Sequence, residues 1–191
     1  SPGAAISDSP GLAGVALTSA FGSGVIPFTD PGGANSAYLD SFSAYGAAAA
    51  QVILYDRLWH NNGIAPTTTG AQTVNSVAWP SRDEAGTTLG ANIGVWLECQ
   101  TASSNAGVIT NTTISYTNSA GVSGRTGSLI PDWPATAVAG TMTPFSLQAG
   151  DVGVRSIQSI TLGTSYGGTA AIRLVAMRRL VSLPILAVSI G

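Results

Sequence analysis

The sequence predicts a mainly β fold, an antiparallel β-sandwich or jelly roll with one short N-terminal helix and extended terminal arms. Three observations predict it. Between Gln51 and Leu180, apolar stretches of strand length recur between turns rich in Gly, Asn and Pro. Thr110–Thr117 alternates with the period of two that marks a half-buried strand. Neither a repeat of about 40 residues nor a heptad pattern is present, which disfavours a propeller or a coiled coil.

Residues 1–34 read as an extended arm. Pro2, Pro10, Pro27 and Pro31 break any long element, and Val15, Leu17, Phe21, Val25, Ile26 and Phe28 are too many apolar groups for a solvated linker. An arm that orders on a neighbouring subunit accounts for both features. Residues 35–50 are expected to form a helix. Asn35 or Ser36 would cap it, and Tyr38, Leu39, Phe42 and Tyr45 would share one face, with Gly46 weakening the run.

The β domain is expected over residues 51–180. Val52–Trp59 is the first strand, stopped by His60–Asn61–Asn62–Gly63. Thr73–Trp79 ends at Pro80, and Arg82–Gly90 is a polar loop. Asn92–Gln100 is a fuller strand, with Trp96 expected in the core beside Val95 and Leu97. A polar hairpin follows, Thr110–Thr117 and Val122–Leu129, turning at Asn118–Gly121 with Thr, Ser and Tyr facing outward. Thr141–Gln148, Val152–Leu162 and Thr169–Leu180 complete the set. Val154, Ile157, Ile160 and Leu162 do not share one parity, so a bulge is expected in their strand. Residues 181–191 read as a C-terminal arm.

At 191 residues and 45% apolar composition, the chain can build a core without disulfides or metals. Only 8% of residues are charged, against about 25% in an ordinary domain. All seven basic residues are arginine. A surface so poor in charge suits a chain packed against other subunits. A net charge of −2 gives no footprint for nucleic acid. Cys99, the single cysteine, reads as a buried thiol. No basic segment precedes an apolar run near the N-terminus, so no secretory leader is expected. Arg173, Arg178, Arg179 and Pro184 interrupt the apolar C-terminal stretch and argue against a membrane span.

Gly163–Thr164–Ser165–Tyr166–Gly167 matches the nucleophile elbow of α/β-hydrolases, yet no Asp, Glu or His follows Ser165 to complete a triad in that family's order. A Gly-rich turn is the better reading. His60, the lone histidine, selects no partner and is expected in an exposed turn or an interface. No cluster of His, Cys and carboxylates has metal-site spacing, and no phosphate-binding loop or dinucleotide fingerprint occurs, so no cofactor or metal is expected. Trp59, Trp79, Trp96 and Trp133 are read as core or interface residues rather than sugar-stacking platforms. Arg155, Arg173, Arg178 and Arg179 are expected to pair with Glu98, Asp132 or Asp151 of the same or a neighbouring subunit.

Four segments, Leu54–Gly63, Ala71–Val77, Ser115–Gly121 with Gly124–Thr126, and Leu147–Asp151 through Gly153–Ile157, resemble a family of small structural proteins of tailed bacteriophages. The resemblance covers roughly Gln51 to Leu180 and transfers no catalytic residue. It implies a virion protein assembled in the bacterial cytoplasm, with the major capsid protein and other virion proteins as partners. A non-enzymatic capsid decoration or cement protein, acting as a homotrimer, is the leading expectation. A tail, neck or fibre component is the alternative, and a host-receptor or glycan-binding module the second. The residues expected at subunit contacts are Phe21, Ile26, Phe28, Trp59, His60, Trp79, Trp133, Arg178 and Arg179.

Overall fold

The structure is a computed structural model that describes residues 8–18, 40–43, 46 and 48–185. It is mainly β, one curled antiparallel sheet of nine strands. These are β1 (Val15–Ala16), β2 (Ala50–His60), β3 (Gln72–Thr73), β4 (Ile93–Thr101), β5 (Thr113–Asn118), β6 (Arg125–Leu129), β7 (Met142–Ser146), β8 (Val154–Thr161) and β9 (Ala171–Ile185). Their order across the sheet is β1-β2-β9-β4-β7-β6-β5-β8-β3.

The pairing is nested. β2 pairs β9, β3 pairs β8, β4 pairs β7 and β5 pairs β6, all antiparallel. β9–β4 and β5–β8 pairs join these into two four-stranded halves, and β6–β7 links the halves. Nesting sorts the connections to two ends. Segments 61–71, 102–112, 130–141 and 162–170 meet at one end, stitched by Ser103 N to Ala137 O, Ser104 N to Tyr166 O and Tyr166 N to Pro66 O. Segments 74–92, 119–124 and 147–153 meet at the other, where Asn92 N donates to Val152 O and Ser119 N to Gly153 O.

Alternation builds the core. On β4, Ile93, Val95, Leu97 and Cys99 are buried, while Gly94, Trp96, Glu98 and Gln100 take the other face. On β5, Ile114 and Tyr116 point inward. The hairpin therefore presents Thr113, Ser115 and Thr117 outward but not Tyr116, whose ring is wholly buried. One apolar cluster draws on both halves, with Trp59 against Trp79 at 5.2 Å and Trp133 against Tyr166 at 5.2 Å. Each such side chain contributes about 1.5–3 kcal/mol by leaving water.

β8 carries the expected bulge and a second one. Against consecutive β5 residues its register steps from Ser159 to Ile157 and from Ser156 to Val154, so Val154, Ile157 and Ile160 all reach the core despite their mixed parity.

Two expectations are corrected. Asp40–Ser43, Gly46 and residues 48–49 are not helical, and the rest of the expected helix lies outside the described residues. The chain there leads into β2, whose pairing with β9 begins at Ala50 and Ile185, and Gly46 lies against the Ile185 side chain. The Thr73–Trp79 strand shrinks to Gln72–Thr73, because Asn75 adopts a φ of 44° and breaks the ladder. Residues 8–18, the described part of the expected extended arm, lie on the chain's own sheet. Leu17 is buried, β1 extends the edge of β2, and Gly14 lies so close to the Trp59 indole that a Cβ there would meet the ring at 2.4 Å.

Candidate subunit-contact surface

β9 runs past Leu180 to Ile185, five residues into the segment read as an arm. β4 pairs with β9 only as far as Arg178, so beyond it β2 and β9 continue as a two-stranded ribbon. Directly opposed residues in an antiparallel pair share a face. The pairs Ala50–Ile185, Val52–Leu183 and Leu54–Val181 therefore make one face of the ribbon entirely aliphatic. Gln51–Pro184 and Ile53–Ser182 form the other. No other described strand pairs with the ribbon, and Val52, Leu54, Val181, Leu183 and Ile185 are only half-buried. A two-stranded ribbon alone is at best marginally stable in water, so a face of this kind calls for cover.

A charged layer lies at the root of the ribbon. Arg82 forks onto Asp56 through Nε at 3.0 Å and Nη2 at 3.1 Å, and Arg178 donates to the Asp83 carbonyl at 3.1 Å. The Asp83 side chain accepts from Ala85, Thr87, Gly90 and Ala91 backbone N–H groups and from the Thr87 hydroxyl. Burial pushes this carboxyl up, but the Thr87, Ala91 and Gly90 hydrogen bonds outweigh it and hold it below the ordinary value. Asp83 is thus the organiser of the 82–91 loop rather than a solvated charge, and it is 1% exposed.

On the opposite face of the sheet, shared with Gly94 and Trp96, Glu98 bridges Arg57 (2.8 Å) and Arg173 (2.5 Å). Burial raises the Glu98 carboxyl, and the two guanidinium groups together bring it below its usual range. His60 Nε2 lies 2.8 Å from Asp8 Oδ1. Burial is the main cause that lowers the His60 imidazole to about 4, the Arg57 charge adds to it, and Asp8 opposes.

The expected contact residues fall into three groups. Phe21, Ile26 and Phe28 lie outside the described residues. Trp59, His60, Trp79 and Trp133 are all buried within the chain itself and offer no surface to a neighbour. Their polar atoms are engaged internally: the indole N–H groups donate to Ala13 O, Val154 O and Ser103 Oγ. His60 ends strand β2 and is not in an exposed turn. Arg178 and Arg179 do stand at the ribbon's root, Arg178 half-buried and Arg179 exposed. The ribbon itself escaped sequence reasoning, although the apolar runs of 52–54 and 180–185 were its signal. Trp96 was expected in the core and lies instead on the outer face, half-buried, edge-on to Tyr55 at 5.1 Å.

Ser165 sits in the expected turn, where its hydroxyl accepts from Gly167 N–H at 3.2 Å. Both glycines of the motif are required by packing: a Cβ on Gly163 would lie 1.6 Å from Thr110 O and one on Gly167 2.0 Å from Ser104 Oγ. Among the described residues, no three His, Cys, Asp or Glu side chains converge. No family model, curated protein or solved structure matches the chain.

Proposed function

We propose that this chain is a non-enzymatic structural protein of a tailed-bacteriophage particle, a capsid decoration or cement protein that assembles as a homotrimer and clamps neighbouring capsid subunits. The observation that carries the reading is the aliphatic ribbon face of β2 and β9. It is an apolar element at the edge of a finished core, and apolar area removed from water gives about 25 cal/mol per Å² on association. Weak contacts of this kind, repeated over a lattice, hold strongly through multivalency.

The nested strand order supports a finer assignment of the fold as a jelly roll. Taking β2 to β9 as eight strands, the halves β2-β9-β4-β7 and β3-β8-β5-β6 match the order expected when one long hairpin rolls up into two facing sheets. Viral capsid domains are among the proteins that use this architecture. The low charge, the absence of lysine and the four phage-like segments point the same way.

The test is the number of copies of the chain in purified particles, measured against the major capsid protein by gel densitometry. Copies comparable to the capsid protein are expected. A few per particle would move the chain to the tail, neck or a fibre, and absence from particles would overturn the structural role.

A further inference from the structure

A second feature stands beside the ribbon and is independent of it. At the end of the sheet that carries loops 74–92 and 147–153, an open cleft of about 370 Å³ is lined by Tyr55, Gly94, Trp96, Leu147, Val152 and Arg179. That size falls within the range of small-ligand sites, roughly 300–1,000 Å³. Three polar tips around it have no partner among the described residues: the Tyr55 hydroxyl, the Trp96 indole N–H and the Arg179 guanidinium. The contrast with the rest of the chain is sharp. The other three tryptophans all donate internally. Of the other six arginines, Arg57, Arg82, Arg125, Arg173 and Arg178 reach carboxylates, and the exposed Arg155 has no ion pair among the described residues.

The cleft is built from strand register. Tyr55 lies directly opposite Arg179 on β9, so the two share the outer face. Trp96 lies on the same face of β4 and leans over Gly94, where a Cβ would meet its ring at 2.6 Å. Gly94 therefore leaves room for the indole over the strand, with the Tyr55 and Trp96 rings in a T-shaped pair 5.1 Å apart. An aromatic face, an apolar rim of Leu147 and Val152, and a free guanidinium at one side make a polar-tipped platform. The Asp151 carboxylate also borders the cleft, but it is matched by Arg125, whose Nε and Nη2 bond it at 2.9 and 3.1 Å.

We infer that this cleft binds an acidic saccharide. The C–H face of a pyranose ring lies on Trp96, its hydroxyls take up the indole N–H and the Tyr55 hydroxyl, and its carboxylate is held by Arg179. A planar guanidinium fits a carboxylate with two parallel hydrogen bonds. A polyanion such as nucleic acid does not fit, because a single arginine lining the cleft of a net-acidic chain cannot neutralise a row of phosphates.

The test titrates the full chain with a glucuronic-acid-containing tetrasaccharide, following the Trp96 indole N–H resonance. Its neutral glucose counterpart and a short peptide with a free C-terminal carboxylate are titrated alongside. Saturable binding of the acidic sugar in the millimolar range is expected, about tenfold tighter than the neutral one. Arg179→Gln, an exposed change, should erase that preference. Trp96→Phe should keep part of the binding through its ring, and Trp96→Ala should lose it, with far-UV circular dichroism as the folding control. No saturable shift with the acidic sugar, an unchanged preference in Arg179→Gln, or equal binding of the peptide would overturn the inference. None of these outcomes touches the assembly reading, which rests on the ribbon.

Discussion

Glu98 on β4 and Arg173 on β9 are directly opposed partners of one strand pair, joined by a 2.5 Å charge-assisted bond with Arg173 fully buried. The same carboxylate holds Arg57 from β2, so one acid ties three neighbouring strands. Removing one member of such a group leaves buried charge without compensation. Glu98→Gln should therefore cost about 3 kcal/mol, seen as a lowered urea midpoint at constant slope. A loss below about 0.5 kcal/mol, the range of ordinary surface changes, would contradict this arrangement.

His60 makes stability depend on pH in a defined window. Its imidazole is held at about 4 in the fold against an ordinary 6.5, chiefly by burial and then by the Arg57 charge. The unfolded chain thus binds the proton first, so stability falls as pH drops from about 6.5 towards 4. The Glu98 and Asp151 carboxyls, both held below their ordinary values of 4.5 and 3.8, lose their contributions only at lower pH still. Unfolding free energy measured between pH 7 and pH 5 should decline for the intact chain, by on the order of 1–2 kcal/mol, and stay flat in His60→Gln. The same slope in both proteins would remove His60 as the cause.

Residues 8–18 are expected to be part of the folded unit. Gly14 adopts a φ of 72° and touches the Trp59 indole, whose N–H donates to Ala13 O. Gly14→Ala adds both strain and a clash, and should lower stability by about 2 kcal/mol or more. It should also shift Trp59 emission to the red. Wild-type stability and emission would mean that this segment does not dock as described.

These residues also show what the sequence could and could not reveal. Most strands were legible because a strand-length apolar or alternating pattern meets a turn, although Thr73–Trp79 proved to be only Gln72–Thr73, and a bulge in β8 could be read from the spacing of Val154, Ile157 and Ile160. The docking of Leu17 was not legible, since β1 is only two residues long and its place depends on the distant edge of β2. Trp96 was misplaced for a simple reason. Strand alternation puts it on the face opposite Val95 and Leu97, and its apolar neighbours in sequence masked that parity. His60 was expected in an exposed turn or an interface, and Asp83 within a polar loop, whereas long-range partners and local hydrogen bonds bury both. The ribbon was hidden by Arg178, Arg179 and Pro184, which read as interruptions in an arm. In the sheet Pro184 sits opposite Gln51 near the end of the ribbon, where no third strand among the described residues needs its missing N–H.

The central claim is that the aliphatic ribbon face drives assembly, and the most direct test is the molar mass of the full chain in solution by light scattering coupled to size exclusion. The account predicts a mass of three times the 19.1 kDa chain, falling to that of a single chain in Leu183→Asp with its circular dichroism unchanged. A single-chain mass for the intact protein, or an undiminished trimer in Leu183→Asp, would contradict it.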